Sequence, residues 1–512
     1  MGLYGRLARN TLMAIIVNCW TIVLAFFLSP YLIRKMGGEG YGVWVLVTSF
    51  SVASGYLSLL DPGIQGAAVK FIAEHLATGD EVQLRKTIWA SFFFFLCVGL
   101  LSSAALSLFG GFIATEIFAV PDELNAAVRA LFYLLAIQSF FDSCKLTWVA
   151  VYSGLQRYDL LRLVQIGSSG VAAALMVLFF TLGHDIVFAG LASLSASVLS
   201  FCVLSLGLQR LLPSFSVRDI PRDWAWKDLK PLFRFGSGLF GFRVTGILFR
   251  QVDKSIIPIL LISTLLTPFS VANYFYQVSQ AAGSLVASNF VPIASSLAAL
   301  NSKTQLKDVF LRGTRFTLAF TFPTAMVGIW LTEPAVTYWV GQELTQAISL
   351  ARILLVTSFF TATSTVGFNV MIGLNKIRPL LIINVCSLAA KLLLSLALIQ
   401  MIGLSGTVIA TLLAHLLVWY PYNRLYLKTL EVSWLEYFQK TMLKPYVVAG
   451  LLLVFMVVVD SFFKPTSLLE TIALGGSAIL FYLVVFSVIG LDDSERKKLQ
   501  LWLSPAVRNF WS

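Results

Sequence analysis

Arg243, Arg250, Asp253 and Lys254 stand within one otherwise apolar stretch, Phe235-Gly-Ser-Gly-Leu-Phe-Gly-Phe-Arg-Val-Thr-Gly-Ile-Leu-Phe-Arg-Gln-Val-Asp-Lys-Ser-Ile-Ile-Pro. A charge in the middle of a bilayer costs roughly 2.5–3.5 kcal/mol, so four of them facing lipid would cost on the order of 10 kcal/mol. They are therefore expected to face protein or water. Arg243 and Arg250 are two helical turns apart, on one helix face and about 10 Å from each other along the axis. Asp253 follows Arg250 by three residues and is placed to pair with it, leaving Arg243 and Lys254 as excess positive charge. The structural explanations are snorkelling of Arg243 from the end of its span and a register-fixing Arg250–Asp253 pair. The chemistry such cations suit is anion binding, because the planar guanidinium fork meets phosphate oxygens two at a time.

Other charges interrupt apolar runs in the same way. Lys391 stands alone in Cys386-Ser-Leu-Ala-Ala-Lys-Leu-Leu-Leu and is expected to face a cavity, while Asp142 and Lys145 are three apart and positioned to pair. Lys145 joins Arg243, Arg250, Lys254 and Lys391 as a candidate substrate contact, and Asp61, Asp142 and Asp253 are the carboxylates available for pairing or ion coupling. Pro62 and Pro292 break corresponding spans and read as hinges or as plain kinks. Asn273, Tyr274, Gln277, Gln280 and Asn289 could line the same space, although helix-packing polar groups are the commoner case. No nucleotide loop, paired catalytic carboxylates or Ser/His/Asp arrangement stands out, so no enzyme is expected. His75, His184 and His415 are scattered, and Cys19, Cys97, Cys144, Cys202 and Cys386 all lie in apolar runs, which points to no cofactor and no metal.

The elements that must hold these residues follow from composition. Of 512 residues, 58% are apolar or aromatic and only 12% are charged. Soluble domains run nearer a quarter charged, so a water-exposed globule, a disordered chain and a nucleic-acid binder are all excluded. Helices of roughly 20 residues cross a bilayer, and fourteen of them use about 280 residues. The runs place spans at about 11–33, 41–62, 87–110, 127–151, 162–182, 186–208, 235–262, 270–297, 314–332, 349–372, 379–401, 405–425, 445–463 and 468–490. The first is too long for a signal-peptide core and is expected to stay as a span. Loops sharing the side of the N-terminus hold 27 of the 37 basic residues, and the opposite loops hold three. The formal charge of +12 is therefore a positive-inside signal, with both termini cytoplasmic.

The chain also resembles itself. Val120-Pro-Asp-Glu-Leu matches Val340-Gly-Gln-Glu-Leu, Ser139-Phe-Phe matches Ser358-Phe-Phe, Ser153-Gly-Leu-Gln-Arg matches Ile372-Gly-Leu-Asn-Lys, and Leu84-Arg-Lys-Thr is paired with Leu311-Arg-Gly-Thr after a short insertion. Six spans per copy is an even number, so both copies enter the bilayer alike, as a parallel repeat. The expected fold is an all-α polytopic membrane protein of about 14 transmembrane helices: two six-helix bundles around a central cavity plus two C-terminal helices. The expected segments are a first bundle 1–208, a linker 209–234 with Trp224 and Trp226 as interfacial anchors, a second bundle 235–425, helices 13 and 14 over 426–490, and an amphipathic tail 491–512.

Pro30-Tyr-Leu-Ile-Arg-Lys-Met-Gly-Gly-Glu-Gly-Tyr-Gly-Val-Trp, then Leu59-Leu-Asp-Pro-Gly-Ile and Ala73-Glu-His-Leu-Ala-Thr-Gly-Asp, resemble the polysaccharide-transporter (oligosaccharide flippase, Wzx-type) branch of the multidrug/oligosaccharidyl-lipid/polysaccharide exporter superfamily. Met36 stands where that family usually has Leu, and Pro62 interrupts its aspartate motif. The resemblance implies a bacterial inner-membrane flippase serving cell-surface polysaccharide export. Its substrate would be a polyprenyl-diphosphate-linked oligosaccharide, carried from the cytoplasmic to the periplasmic leaflet by alternating access. Its partners would be membrane lipids and a polysaccharide polymerase or export protein, with no nucleic acid. A multidrug antiporter of the same superfamily is the rival, expected to use cavity carboxylates where this chain has more cations. A membrane glycan polymerase or glycosyltransferase is a further alternative, but the chain has no large outer loop or nucleotide-sugar site.

Overall fold

The computed structural model describes residues 3–118, 120–212, 226–287, 290–493 and 495–497. Among them every regular element is helical. In order these are α1 Leu3–Thr48, α2 Ile64–Thr78, α3 Glu81–Phe112, α4 Asn125–Gly154, α5 Tyr158–Thr181, α6 Val187–Leu211, α7 Trp226–Leu260, α8 Leu266–Ala287, α9 Phe290–Ala299, α10 Lys303–Trp339, α11 Gln346–Gly373, α12 Ile377–Ile402, α13 Ser405–Leu430, α14 Trp434–Tyr437, α15 Leu443–Phe462 and α16 Leu468–Ile489. Ten described helices are long and apolar enough to cross a membrane, or eleven with the bent α7. The chain is thus a multi-pass membrane protein. The expected count of fourteen is not reached by length and composition: α10 and α13 have 37 and 26 residues but are not among those helices.

The chain forms two compact units, Met1–Thr267 and Pro268–Ser512. The boundary differs from the expected one at 209–234, because α7 packs on the 3-10 helix Tyr56–Leu60 and on α2, inside the first unit. Of the expected linker, 213–225 lies outside the described residues, as do Asn289, Ser494 and 498–512 of the expected tail.

The first unit is built on small-residue contacts that bring helices close. Ile64, Ala67, Ala68 and Ile72 of α2 bury against Ile88 and Phe95 of α3, Ala150 and Val151 of α4, and Leu204 and Leu208 of α6. Apolar contact gives no net advantage over lipid, so such interfaces depend on close van der Waals fit. The expected span 41–62 is not one helix. The α-helix continues only to Thr48, turns and a short 3-10 helix, Tyr56–Leu60, follow, and α2 then runs from Ile64 to Thr78 through residues read as a loop. In the second unit, Tyr437 donates to the Thr363 carbonyl at 2.8 Å and Trp419 donates to the Thr363 hydroxyl at 2.8 Å, tying α13 and α14 to α11.

The same packing recurs in both units: α3 on α4, α4 on α6, α5 on α6 and α2 on α4 in the first, and α10 on α11, α11 on α13, α12 on α13 and α9 on α11 in the second. The turns repeat bond for bond. Before α3, Asp80 N donates to His75 O at 3.1 Å and Leu84 N to Asp80 O at 3.0 Å; before α10, Ser302 N donates to Leu297 O at 3.1 Å and Leu306 N to Ser302 O at 3.1 Å. Before α5, Gln156 holds a φ of 57° and Arg157 N donates to Tyr152 O at 2.9 Å. Before α12, Asn375 holds a φ of 56° and Lys376 N donates to Met371 O at 2.9 Å. This register equates Leu84 with Leu306, both buried, so the sequence pairing of Leu84 with Leu311 is five residues out of register.

Candidate functional site in the first unit

Asp61-Pro62-Gly63 sits where the chain re-enters helix. Asp61 is 2% exposed, and its Oδ1 accepts from Gly63 N at 3.1 Å and Gln65 N at 3.3 Å, capping α2. Its Oδ2 accepts from Nη1 of Arg243 on α7. Proline suits this position because α2 begins after it and loses no helical hydrogen bond there. Gly63 holds a φ of +95°, and a Cβ there would lie 2.5 Å from the Gly236 carbonyl oxygen of α7.

The rest of α7 is fastened to the same break between α1 and α2. Gln251 Nε2 donates to the Ser54 carbonyl at 2.7 Å, and the hydroxyls of Tyr56 and Ser255 lie 2.7 Å apart. Unpaired backbone cannot face lipid, so a non-helical segment at membrane depth needs such partners. α7 itself bends by 58° between Asp228–Gly238 and Phe240–Leu260. Gln251, Tyr56 and Ser255 were not foreseen as a group; the clue in the sequence was a polar stripe on α7 opposite a Ser/Gly-rich break in an apolar run.

Two of the five expected substrate cations are held by carboxylates. Arg243 is spoken for by Asp61. Lys145 is 2.5 Å from Asp142, as its spacing predicts, and donates to Ser200 Oγ on α6 at 3.2 Å, so it closes an internal network of α4 and α6. Lys391 is 2% exposed within the second unit, with His415 in its electrostatic neighbourhood. Arg250 remains. It is an exposed side chain ten residues from either end of the straight part of α7. Asp253 is 5% exposed, with half-buried Lys254 beside it. Pro292 lies in the first turn of α9, where its missing N–H costs no bond, and Pro62 precedes α2; neither interrupts a helix.

Among the described residues no three His, Cys, Asp or Glu side chains group closely enough to hold a metal, and the five cysteines are free thiols.

This architecture of repeated apolar helices defines a polytopic transporter-like fold. A family described as "polysaccharide biosynthesis protein" matches residues 7–298, more than half of the chain, and the chain belongs to that family. It is similar in structure to the lipid II flippase MurJ in an inward closed conformation (TM-score 0.68, 16% identity, covering 93% of this chain and 98% of that one). It is also similar to an inward-facing multidrug resistance MATE family transporter of the MOP superfamily (TM-score 0.65, 15% identity, 81% and 95% covered). An outward-facing MATE transporter gives a TM-score of 0.58 at 14% identity, with 83% and 95% covered. At these identities the likeness establishes the fold. No curated protein sequence matches the chain.

Proposed function

We propose that this chain is a flippase for a polyprenyl-diphosphate-linked oligosaccharide, moving it from the cytoplasmic to the outer leaflet of a bacterial inner membrane by alternating access. It is proposed to act as a transporter rather than an enzyme, in cell-surface polysaccharide export, with both termini in the cytoplasm. The observation that carries the reading is Arg250: an exposed guanidinium midway along the straight part of an apolar helix. Such a group is tolerable only where water or an anion reaches it. Arg250, with Lys254 one residue beyond the next turn, would hold the diphosphate, and the polar stripe of α7 would hydrate the glycan. Family membership supports the polysaccharide pathway, and the excess of cations argues against the cationic-drug chemistry of a multidrug exporter.

The test follows lipid-linked glycan on each leaflet in cells carrying Arg250→Ala, Arg250→Lys or the unaltered chain, with protein levels measured. One charged, two-point hydrogen bond contributes about 1.5–3 kcal/mol, so Arg250→Ala should slow flipping about tenfold or more at normal protein level, with partial recovery in Arg250→Lys. Unchanged glycan distribution together with altered drug resistance would move the assignment to the exporter.

A further inference from the structure

A cavity of about 480 Å³ opens in the second unit among the end of α9, the start of α10, the α11–α12 turn and the end of α13. Its apolar wall includes Leu297, Leu306 and Leu430, and its cations are Lys303, Lys307 and Lys376. One acid, Glu431, lines it. Almost all of it lies beyond the residues matched by the family, and it shares no residue with the α7 site.

The depth of the cavity is fixed by where membrane helices stop. The candidate spans Ser263–Ala299 and Gln346–Gly373 end here, and Ile377–Ile402 begins one residue after Lys376. Lys376 and the α9–α10 turn therefore stand at headgroup level, above an apolar wall that continues into hydrocarbon depth. Lysines at this level interact with anionic headgroups at short range, and basic pockets between membrane helices hold them.

The internal repeat supplies a control for what the fold alone requires. The turn before α3 has the same hydrogen bonds as the turn before α10, yet the residue equivalent to Lys303 is Glu81. In that copy Arg85 pairs with Glu81 at 3.5 Å and Arg157 with Asp159 at 3.1 Å, so the basic residues are neutralised locally. In the second copy Lys303 meets Glu431 at 2.9 Å and Lys307 meets Glu436 at 2.7 Å, while the Lys376 ammonium donates to the Thr429 hydroxyl at 3.4 Å. Glu436 is shared with Lys440 at 3.0 Å. The three cavity lysines and Lys440 face two carboxylates, an excess of two positive charges that the fold does not need.

We infer that this cavity is a binding site for the phosphate headgroup of an anionic membrane lipid, with Lys303, Lys307 and Lys376 meeting the phosphate and the leucine wall receiving the first acyl carbons. The site is independent of the α7 reading and does not require that the chain be a flippase.

The purified full-length protein, stripped of lipid and placed in neutral detergent, is titrated with dioleoylphosphatidylglycerol, dioleoylphosphatidylcholine or inorganic phosphate, and bound lipid is counted by native mass spectrometry. The expected result is tight retention of phosphatidylglycerol over phosphatidylcholine, weakened about tenfold or more in Lys303→Gln/Lys307→Gln/Lys376→Gln. The triple arginine variant at the same positions should keep it, which separates loss of charge from loss of fold. Equal retention by the glutamine variant overturns the site. Displacement of the lipid by millimolar inorganic phosphate assigns the pocket to a soluble phosphate instead and overturns the lipid assignment.

Discussion

Arg315 on α10 and Glu495, just beyond α16, form a buried ion pair in which Nη2 lies 2.6 Å from each carboxylate oxygen, with the two side chains 5% and 9% exposed. The same guanidinium donates to Asp492 at 3.2 Å through Nη1. The start of the C-terminal tail is therefore anchored within the second unit by charge as well as by buried Leu491. Replacing Glu495 with Gln leaves a buried, partly unsatisfied guanidinium. Removing one partner of such a pair costs about 3–5 kcal/mol, and the measurable outcome is a lower unfolding temperature in detergent. Replacing Arg315 by Met together with Glu495 by Leu should recover much of that loss, because the desolvation penalty goes with the charges.

The neighbouring carboxylate gives a pH prediction. Lys444 lies 2.6 Å from Asp492 and, with Arg315, holds its carboxyl below the usual aspartate range. A depressed folded value means that the charged form stabilises the anchored tail above the ordinary aspartate pKa of about 4, and that this is lost as pH falls through the folded value. Hydrogen exchange of the segment after Ile489 should be slow at neutral pH and quicken under acid. Asp492→Asn should show the acid-like exchange rate already at neutral pH; if both proteins exchange alike throughout, the carboxylate is not the anchor.

Much of this architecture can be read from the residues, for physical reasons that also explain the failures. Apolar runs report span positions because each must cover about 30 Å of hydrocarbon. Ser153-Gly-Leu-Gln-Arg and Ile372-Gly-Leu-Asn-Lys revealed the repeat because Gln156 and Asn375 both occupy a left-handed turn. Leu84 and Leu311 mislead because α10 repeats leucine and threonine every few residues, so a short match survives a shift that the turn before each helix excludes. The Asp142–Lys145 pair followed from spacing on one helix. The Asp61–Arg243 pair did not, since it joins residues far apart in the chain. The break from Ser49 to Gly63 is taken into a span because Val52, Leu57, Leu59 and Leu60 continue the apolar run across its serines and glycines.

A tight backbone crossing makes a sharper test of the α7 fastening. Gly63 has a φ of +95° and its missing Cβ would lie 2.5 Å from the Gly236 carbonyl oxygen, whereas Gly79 has a φ of +72° with nothing within 4 Å of its missing Cβ. Alanine at Gly79 pays only the left-handed backbone cost, about 1–2 kcal/mol. Alanine at Gly63 adds a collision with rigid backbone. Gly63→Ala should therefore lower the unfolding temperature more than Gly79→Ala and should loosen α7, read as faster proteolysis near Gly236. Equal effects in the two variants would show that the crossing at Gly236 is not tight.

Asp61 links that fastening to transport. Its two oxygens have separate duties, Oδ1 capping α2 and Oδ2 accepting from Arg243. Asp61→Ala removes both and strands a partly buried guanidinium, a loss of about 3 kcal/mol or more. Asp61→Asn keeps an oxygen for the Gly63 and Gln65 amides and should lose roughly half as much, the cap being worth about 1 kcal/mol. Arg243 and Arg250 share α7, so unfastening the first shifts the second along with its helix. In the proposed flippase, Asp61→Asn at normal protein level should therefore slow glycan transfer although Asp61 itself touches no substrate, and Arg243→Lys, which keeps the charge, should slow it less. Wild-type transfer by a stably folded Asp61→Asn protein would place the fastening of α7 outside the transport cycle and leave Asp61 a helix cap.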